Sequence, residues 1–250
     1  MSILISVITA SKNNYNTILD CVNSISRQTY PYVEHLIVDA CSVDGTLELL
    51  TTNNSNDFIL ISEPDDGIYD ALNKGILNSS GDIIGFLHAD DYFADSLVLE
   101  RIATAFQNPN VCAVYGDLIY VSKYNNNKVI RYWRSEIFHK NLIYKGWMPP
   151  HPTLYVRRSW YENIQYFDTS YKISADYLSV LKMFSSIDFK AIYIPEVLVK
   201  MRTGGLSNGS IKNIINKSRE DLRALRSMEI GNYKLLFFKN FKKISQFIFR

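Results

Sequence analysis

Ile83-Ile84-Gly85-Phe86-Leu87-His88-Ala89-Asp90-Asp91 is the stretch on which the reading of this chain turns. A short apolar run that ends in carboxylates reads as a buried strand carrying ligands to the edge of a sheet. Two oxygen donors at that edge suit a hard cation such as Mg²⁺ or Mn²⁺, which binds few protein groups and takes its other ligands from substrate phosphates. The same acids equally suit a turn that caps a helix beginning near Asp95.

Outward from that run, the first half alternates strand-like apolar segments with helical periodicity, the pattern of a layered α/β sheet. Strands are expected at 3–9, 33–39, 58–62, 82–87 and 111–116, and helices at 16–27, 46–52, 68–78 and 95–107. The second half changes character. Residues 117–134 read as a hairpin turning at Tyr124-Asn125-Asn126-Asn127, followed by loops rich in Trp, Tyr and Pro around Trp147-Met148-Pro149-Pro150.

Open α/β sheets bind ligands beyond the carboxyl ends of their strands, so those ends hold the candidates. The first strand ends at Thr9 and Ser11, the second at Asp39, the third at Asp65, and the fourth at His88, Ala89 and Asp90. Asp39 can accept from a base N–H or a ribose hydroxyl, or it can cap the loop that follows. No Gly-x-Gly-x-x-Gly follows the first strand and no Gly-x-x-x-x-Gly-Lys-Ser/Thr occurs, which argues against a dinucleotide fold and a P-loop NTPase. A metal at Asp90 together with Lys74 would hold a nucleotide diphosphate without such a loop; alternatively Lys74 only snorkels from its helix.

The chain has 250 residues, 47% of them hydrophobic, and a net charge of +2, too small to suggest nucleic-acid binding. Charge concentrates at the end. Between Asn232 and Arg250 stand Lys234, Lys239, Lys242, Lys243 and Arg250, with no acid, interleaved with Phe and Leu. Such a segment resembles an amphipathic helix on an anionic membrane surface, or else a C-terminal helix packing its aromatics on the domain. No apolar run reaches the roughly 20 residues of a membrane-spanning helix. The expected location is cytoplasmic, peripheral on the inner membrane. Cys21, Cys41 and Cys112 lack metal spacing and read as reduced thiols.

Taken together, Ile5-Ser6-Val7-Ile8-Thr9, Gln28-Thr29-Tyr30-Pro31, Val38-Asp39-x-x-Ser42-x-Asp44-Gly45-Thr46, Glu63 through Gly75 and Gly81-Asp82 leading to Asp91 resemble the family 2 inverting glycosyltransferases of GT-A fold. The resemblance runs through residues 3–95 and resumes at 151–176. It implies an α/β fold with a mostly parallel central sheet flanked by helices. Within it, 1–116 is a nucleotide-sugar half, 117–209 an acceptor-binding and catalytic half of the same domain, and 210–250 a helical extension. It also implies transfer from a UDP-sugar with Mn²⁺ or Mg²⁺ bridging the diphosphate, in bacterial surface-polysaccharide synthesis, onto a sugar acceptor carried on a polyprenyl diphosphate. The family's Asp-x-Asp motif falls on His88, Ala89 and Asp90, so Asp90 keeps the metal role while His88 replaces the first acid.

Inverting transfer needs a carboxylate base for the acceptor hydroxyl. The resemblance places it at Asp176, in Ser174-Ala175-Asp176 at a helix start, where the alternative is an acid favourable to the helix dipole. His151 and Trp147 fall on the acceptor side, His151 also suiting the donor phosphate or neighbouring backbone. Arg202, before Gly204-Gly205, resembles the start of a loop that closes over the donor, with its guanidinium on the diphosphate, or a plain connector. Two other functions compete: a sugar-nucleotide nucleotidyltransferase, which would show a Gly-rich basic segment after the first strand, and a non-catalytic binding scaffold, which the His88 replacement permits.

Overall fold

The apolar runs form β1 (Ile5–Ser11), β2 (Val33–Asp39), β3 (Ile59–Ser62) and β4 (Ile83–Phe86), and the amphipathic segments between them form α1 (Ile18–Ser26), α2 (Thr46–Thr52) and α3 (Ile68–Asn78). The computed structural model describes residues 2–52, 58–123, 125–204 and 211–231, together with 233, 235, 236 and 239. Each crossover helix returns the chain in the same direction, so the order β3-β2-β1-β4 is parallel. Strands covered on both faces are apolar on both. In β1, Ile5 and Val7 enter one core cluster while Ile8 enters the other, opposite α3. Gly85 interrupts the apolar run of β4 because the Tyr155 ring crosses there: a Cβ would lie 2.0 Å from it.

Beyond β4 come β5 (Tyr92–Phe93), α4 (Val98–Phe106), β6 (Ala113–Ser122), β7 (Asn125–Trp133), β8 (Tyr155–Arg157), α5 (Arg158–Asn163), α6 (Ala175–Ser185), β9 (Ala191–Arg202) and α7 (Ile211–Ser227). The full sheet has nine strands, ordered β3-β2-β1-β4-β8-β6-β9-β5 with β7 on the far side of β6. The expected mostly parallel sheet is therefore mixed, wholly parallel in its first half and with the β6–β9 pair parallel in its second. β8 runs antiparallel to both β4 and β6, β7 antiparallel to β6, and β5 antiparallel to β9. The second half lacks the helical crossovers that parallel neighbours require, except before β9, which pairs parallel with β6.

Strand β9 is absent from the elements expected above, and Pro195 stands within it. The sheet absorbs the proline at an irregularity where Gly116 faces Ile194 and the next pair is Asp117 with Val197. The boundary drawn at 116 falls at that irregularity, and β6 runs through it. The hairpin forms, with β7 already under way at Asn125, within the stretch expected to turn; Tyr124 lies outside the described residues. α4 starts later than expected, at Val98, because Asp95 holds the preceding turn by accepting from the Leu97 N–H at 2.8 Å. Its buried face is Val98, Leu99, Ile102, Ala103 and Phe106, the spacing of a helix packed on a sheet.

The guanidinium groups of Arg157 and Arg158 are engaged within the protein. The Arg157 guanidinium donates to the carbonyls of Val111 and Phe106, and that of Arg158 to those of Gly81 and Ile76 and to the Ser79 hydroxyl, tying β8 and α5 to neighbouring turns. No helix among the described residues is long and apolar enough to cross a membrane. Of the basic tail, Leu235 and Lys239 are described and buried against the domain.

Candidate active site

A cavity of about 1590 Å³ opens along the carboxyl ends of β1 and β4 and extends under the β6–β7 hairpin to α6 and α7. Of the expected residues, Ser11, Asp65, His88, Ala89, Asp90, Trp147, His151 and Asp176 line it. The fold thus brings the β4 end and the start of α6 to one space.

The two acids after β4 separate. Asp90 lines the cavity, whereas Asp91 is fully buried, and its carboxylate accepts from the Arg202 backbone N–H at 3.1 Å. Burial, reinforced by the Asp90 charge, pushes the Asp91 carboxyl well above its usual range. Since Asp95 serves the turn into α4, Asp90 is left to face the cavity.

His88 lines the cavity, and its buried Nδ1 has no hydrogen-bond partner among the described residues. Burial lowers its pKa, opposed by the charges of Asp90 and Asp176, so the ring is neutral near pH 7 with an available lone pair. No group of three or more His, Cys, Asp or Glu side chains among the described residues could hold a metal by itself. A hard cation bridging a diphosphate needs only one or two protein donors. The Asp90 carboxylate beside an orphaned imidazole nitrogen fits that requirement.

Asp176 sits in the first turn of α6. Its Oδ1 lies 3.0 Å from the Tyr69 hydroxyl and accepts from the Tyr177 N–H at 2.8 Å. Tyr69 comes from α3, in the first half of the chain, and its hydroxyl also meets the Ile173 carbonyl at 2.7 Å. Burial and then the Asp176 charge raise the Tyr69 pKa well above its ordinary value, so it remains a donor. The His151 ring stacks on Phe86, with centroids 5.5 Å apart. Burial lowers its pKa to about 4, with the Asp176 charge opposing and His88 adding. At neutral pH it is an uncharged ring. Trp147 packs on Tyr115, Phe138 and Phe184 and closes the far wall.

Four expected donor contacts lie elsewhere, each for a local reason. Thr9 is fully buried, its hydroxyl 3.0 Å from His35 Nε2. Asp39 is also fully buried and accepts from both the backbone N–H and the hydroxyl of Ser42, at 2.8 and 2.5 Å, so the loop-capping alternative describes its bonds. The rest of that motif braces the loop after β1: Ser42 accepts from the Asn13 N–H, Thr46 from Asn14 and Asp44 from Tyr15. Lys74 is held by Glu63 at 2.9 Å, Asp70 at 3.2 Å and the Pro64 carbonyl, and lies off the cavity.

Arg202 is a clamp within the protein. Its guanidinium pairs with Asp20, donates to the Asp90 carbonyl at 2.8 Å and lies over the Tyr92 ring at 4.9 Å. It therefore fixes the backbone of the Asp90 turn from beneath and does not line the cavity. The Gly-rich loop expected to follow, Gly205 to Gly209, lies outside the described residues.

Lining residues that sequence reasoning missed are Tyr69, Lys12, Lys172 and a hairpin wall in which the Arg131 guanidinium lies between Tyr120 and Trp133, 4.8 and 5.5 Å from their centroids. Tyr69 stood within a recognised motif, and only its reach to Asp176 was hidden. The hairpin wall follows from which strand faces the cavity, for which alternation along β7 is a weak signal.

Residues 6–175 match the model of glycosyl transferase family 2. The chain belongs to that family. A PGL/p-HBAD biosynthesis glycosyltransferase of Mycobacterium bovis is 29% identical over 210 residues, covering 82% of this chain and 79% of the relative. Among solved structures, Staphylococcus aureus TarS 1–349 in complex with UDP-GlcNAc superposes with a TM-score of 0.69 at 16% identity, covering 90% of this chain and 65% of that one. The mannosyltransferase PcManGT from Pyrobaculum calidifontis, in complex with GDP-Man and Mn²⁺, gives 0.68 at 18% identity, covering 96% and 70%. At such identities the likeness is one of fold, and the fold of this family 2 glycosyltransferase is GT-A.

Proposed function

We propose that this glycosyltransferase is inverting and metal-dependent, moving a hexose or N-acetylhexosamine from a UDP-sugar to a hydroxyl of a saccharide acceptor. The observation that carries the reading is that Asp90 and Asp176, from opposite halves of the chain, line one cavity. Asp176 takes the proton of the acceptor hydroxyl as its oxygen attacks the anomeric carbon from the face opposite the diphosphate. The bond from that carbon to the diphosphate breaks in the same displacement, and the nucleotide leaves on the Asp90 side. Tyr69 keeps the Asp176 carboxylate oriented by bonding Oδ1.

Asp90, with His88, would hold Mn²⁺ or Mg²⁺, which when bound neutralises the charge developing on the departing diphosphate. With Lys74 and Arg202 engaged elsewhere, the diphosphate is assigned to Lys12 and Lys172, two of the cations that line the cavity, Lys172 also reaching the Asp66 carbonyl at 3.1 Å. His151 and Trp147 stand where an acceptor sugar would pass. UDP is the nucleotide that the family resemblance implies; of the neighbours of similar fold, one was solved with UDP-GlcNAc and one with GDP-Man. Turnover of UDP-, GDP- and TDP-sugars, with and without EDTA, tests both points: turnover is expected with UDP-sugars alone and is lost on chelation. Turnover indifferent to EDTA would remove the metal, and a GDP-sugar preference would remove UDP.

The setting implied by the family resemblance is surface-polysaccharide synthesis on a polyprenyl-diphosphate-linked acceptor at the cytoplasmic face of the inner membrane. Lys239 is not a membrane contact in this reading, since it is buried and paired with Asp221 at 2.7 Å. Residues 241–250, with Lys242, Lys243, Arg250 and five large apolar side chains, remain as the contact and lie outside the described residues. Their deletion should abolish salt-sensitive flotation with anionic liposomes, each cation near the surface being worth about 1 kcal/mol. Unchanged flotation of the folded, shortened protein would place the contact elsewhere or nowhere.

A further inference from the structure

Helix α7 lies beyond the stretch that the family model matches, yet it builds the support beneath the proposed base. Its Glu220 reaches the loop that leads into α6. Oε1 accepts from the Lys172 N–H at 2.9 Å, and Oε2 accepts from the N–H groups of Ile173 at 2.8 Å and Ser174 at 2.9 Å. Three successive backbone donors thus converge on one carboxylate. The three donors belong to Ser174, the residue before α6, and to the two residues ahead of it; Ser174 makes no side-chain cap of its own, and the segment that leads into the helix is held from another helix. Bonds to an ionised carboxylate are stronger than neutral ones, and a negative charge at this end also favours the helix dipole.

Neighbouring contacts fasten the same segment. Arg223 donates to the Ser170 hydroxyl at 2.9 Å and lies 4.2 Å above the Tyr171 ring. Asp221 pairs with Lys239, whose ammonium lies over the Tyr177 ring at 3.0 Å. The segment before Asp176 is therefore held from α7 and Tyr177 after it by Lys239, itself paired to α7, while Tyr69 holds Asp176 from α3.

We propose that Glu220 is a positioning residue for catalysis: by fixing residues 172–174 it sets where Asp176 stands relative to the acceptor hydroxyl. The proposal rests on the reading of Asp176 as the base. Displacing a catalytic group by about an ångström costs on the order of 100-fold in rate. Removal of Glu220 leaves three backbone donors to water and frees that displacement.

The test is a double-mutant cycle of Glu220→Ala with Asp176→Asn, reading kcat, UDP affinity and melting temperature. Glu220→Ala is expected to lower kcat by roughly 10- to 100-fold while UDP affinity stays within about twofold. Glu220→Gln, which keeps one acceptor oxygen, should fall between it and the wild type. The double variant should be no slower than Asp176→Asn alone, because a positioning residue has nothing left to position. A merely structural role would make the two losses multiply. Multiplying losses, or wild-type kcat in Glu220→Ala, overturn the positioning role and leave the base intact, provided Asp176→Asn is itself slow. If Asp176→Asn turns over normally, the base and the positioning role both fall. Should Glu220→Ala fail to fold, Glu220→Gln carries the same cycle.

Discussion

Replacing Asp176 with Asn is expected to lower kcat by roughly 10² to 10⁴, the range for loss of a positioned general base, or about 3 to 5 kcal/mol of transition-state stabilisation. The substitution keeps an oxygen where Oδ1 now meets the Tyr69 hydroxyl and the Tyr177 N–H, so the start of α6 should hold. What it removes is the basicity. Affinity for UDP should stay near wild type, since the nucleotide is assigned to the β1 and β4 ends of the cavity. Steady-state kinetics combined with UDP titration decide the matter. Parallel losses of turnover and nucleotide affinity would make Asp176 a donor-binding or structural acid.

Replacing Asp90 with Ala should abolish Mn²⁺-dependent UDP binding, and turnover with it. The metal's share of the stabilisation is several kcal/mol, and the adjacent acid cannot replace the lost ligand, since Asp91 is fully buried. The fold should survive. Asp90 supplies only its backbone carbonyl to the Arg202 clamp, and the substitution keeps that carbonyl. Isothermal titration of UDP with and without Mn²⁺, beside a thermal melt, separates loss of the site from loss of the fold. A well-folded variant that retains more than about a tenth of wild-type turnover with Mn²⁺ would end the assignment of Asp90 as the metal ligand.

Most of the first half could be read directly. Apolar runs with crossover helices between them place β1 to β4 within a few residues of their observed ends, and in β1, β2 and β4 burial on both faces leaves little freedom in composition. The carboxyl-end rule then led to an edge of the sheet where Ser11, Asp65, His88 and Asp90 all line one cavity. The individual strand-end roles were less legible. Thr9 and Asp39 stand at strand ends and point their bonds inward, to His35 and Ser42. A polar residue at a strand end serves a loop as readily as a ligand, and its type does not say which.

The cations went astray for a related reason. Lys74 and Arg202 are long side chains, and a sequence gives their charge without the direction in which it is spent. Arg202 meets Asp20 and the Asp90 carbonyl, partners 182 and 112 residues away in the chain. The charged tail raises the same difficulty, for a stripe of lysines looks alike whether it meets lipid or, as Lys239 does, a buried aspartate.

By itself the sequence determined the family, the alternating α/β layers, and the two carboxylates on which the proposed chemistry rests, because each is written in local periodicity or in a contiguous motif. Only the tertiary structure decided the mixed order of the second half of the sheet, the meeting of Tyr69 with Asp176, and the reach of Glu220 to the loop before α6. Those depend on which way the chain turns after β4 and on hydrogen bonds between residues more than 40 positions apart. No short window of sequence contains both partners of such a bond, and the energy that selects it is shared across the whole packed core.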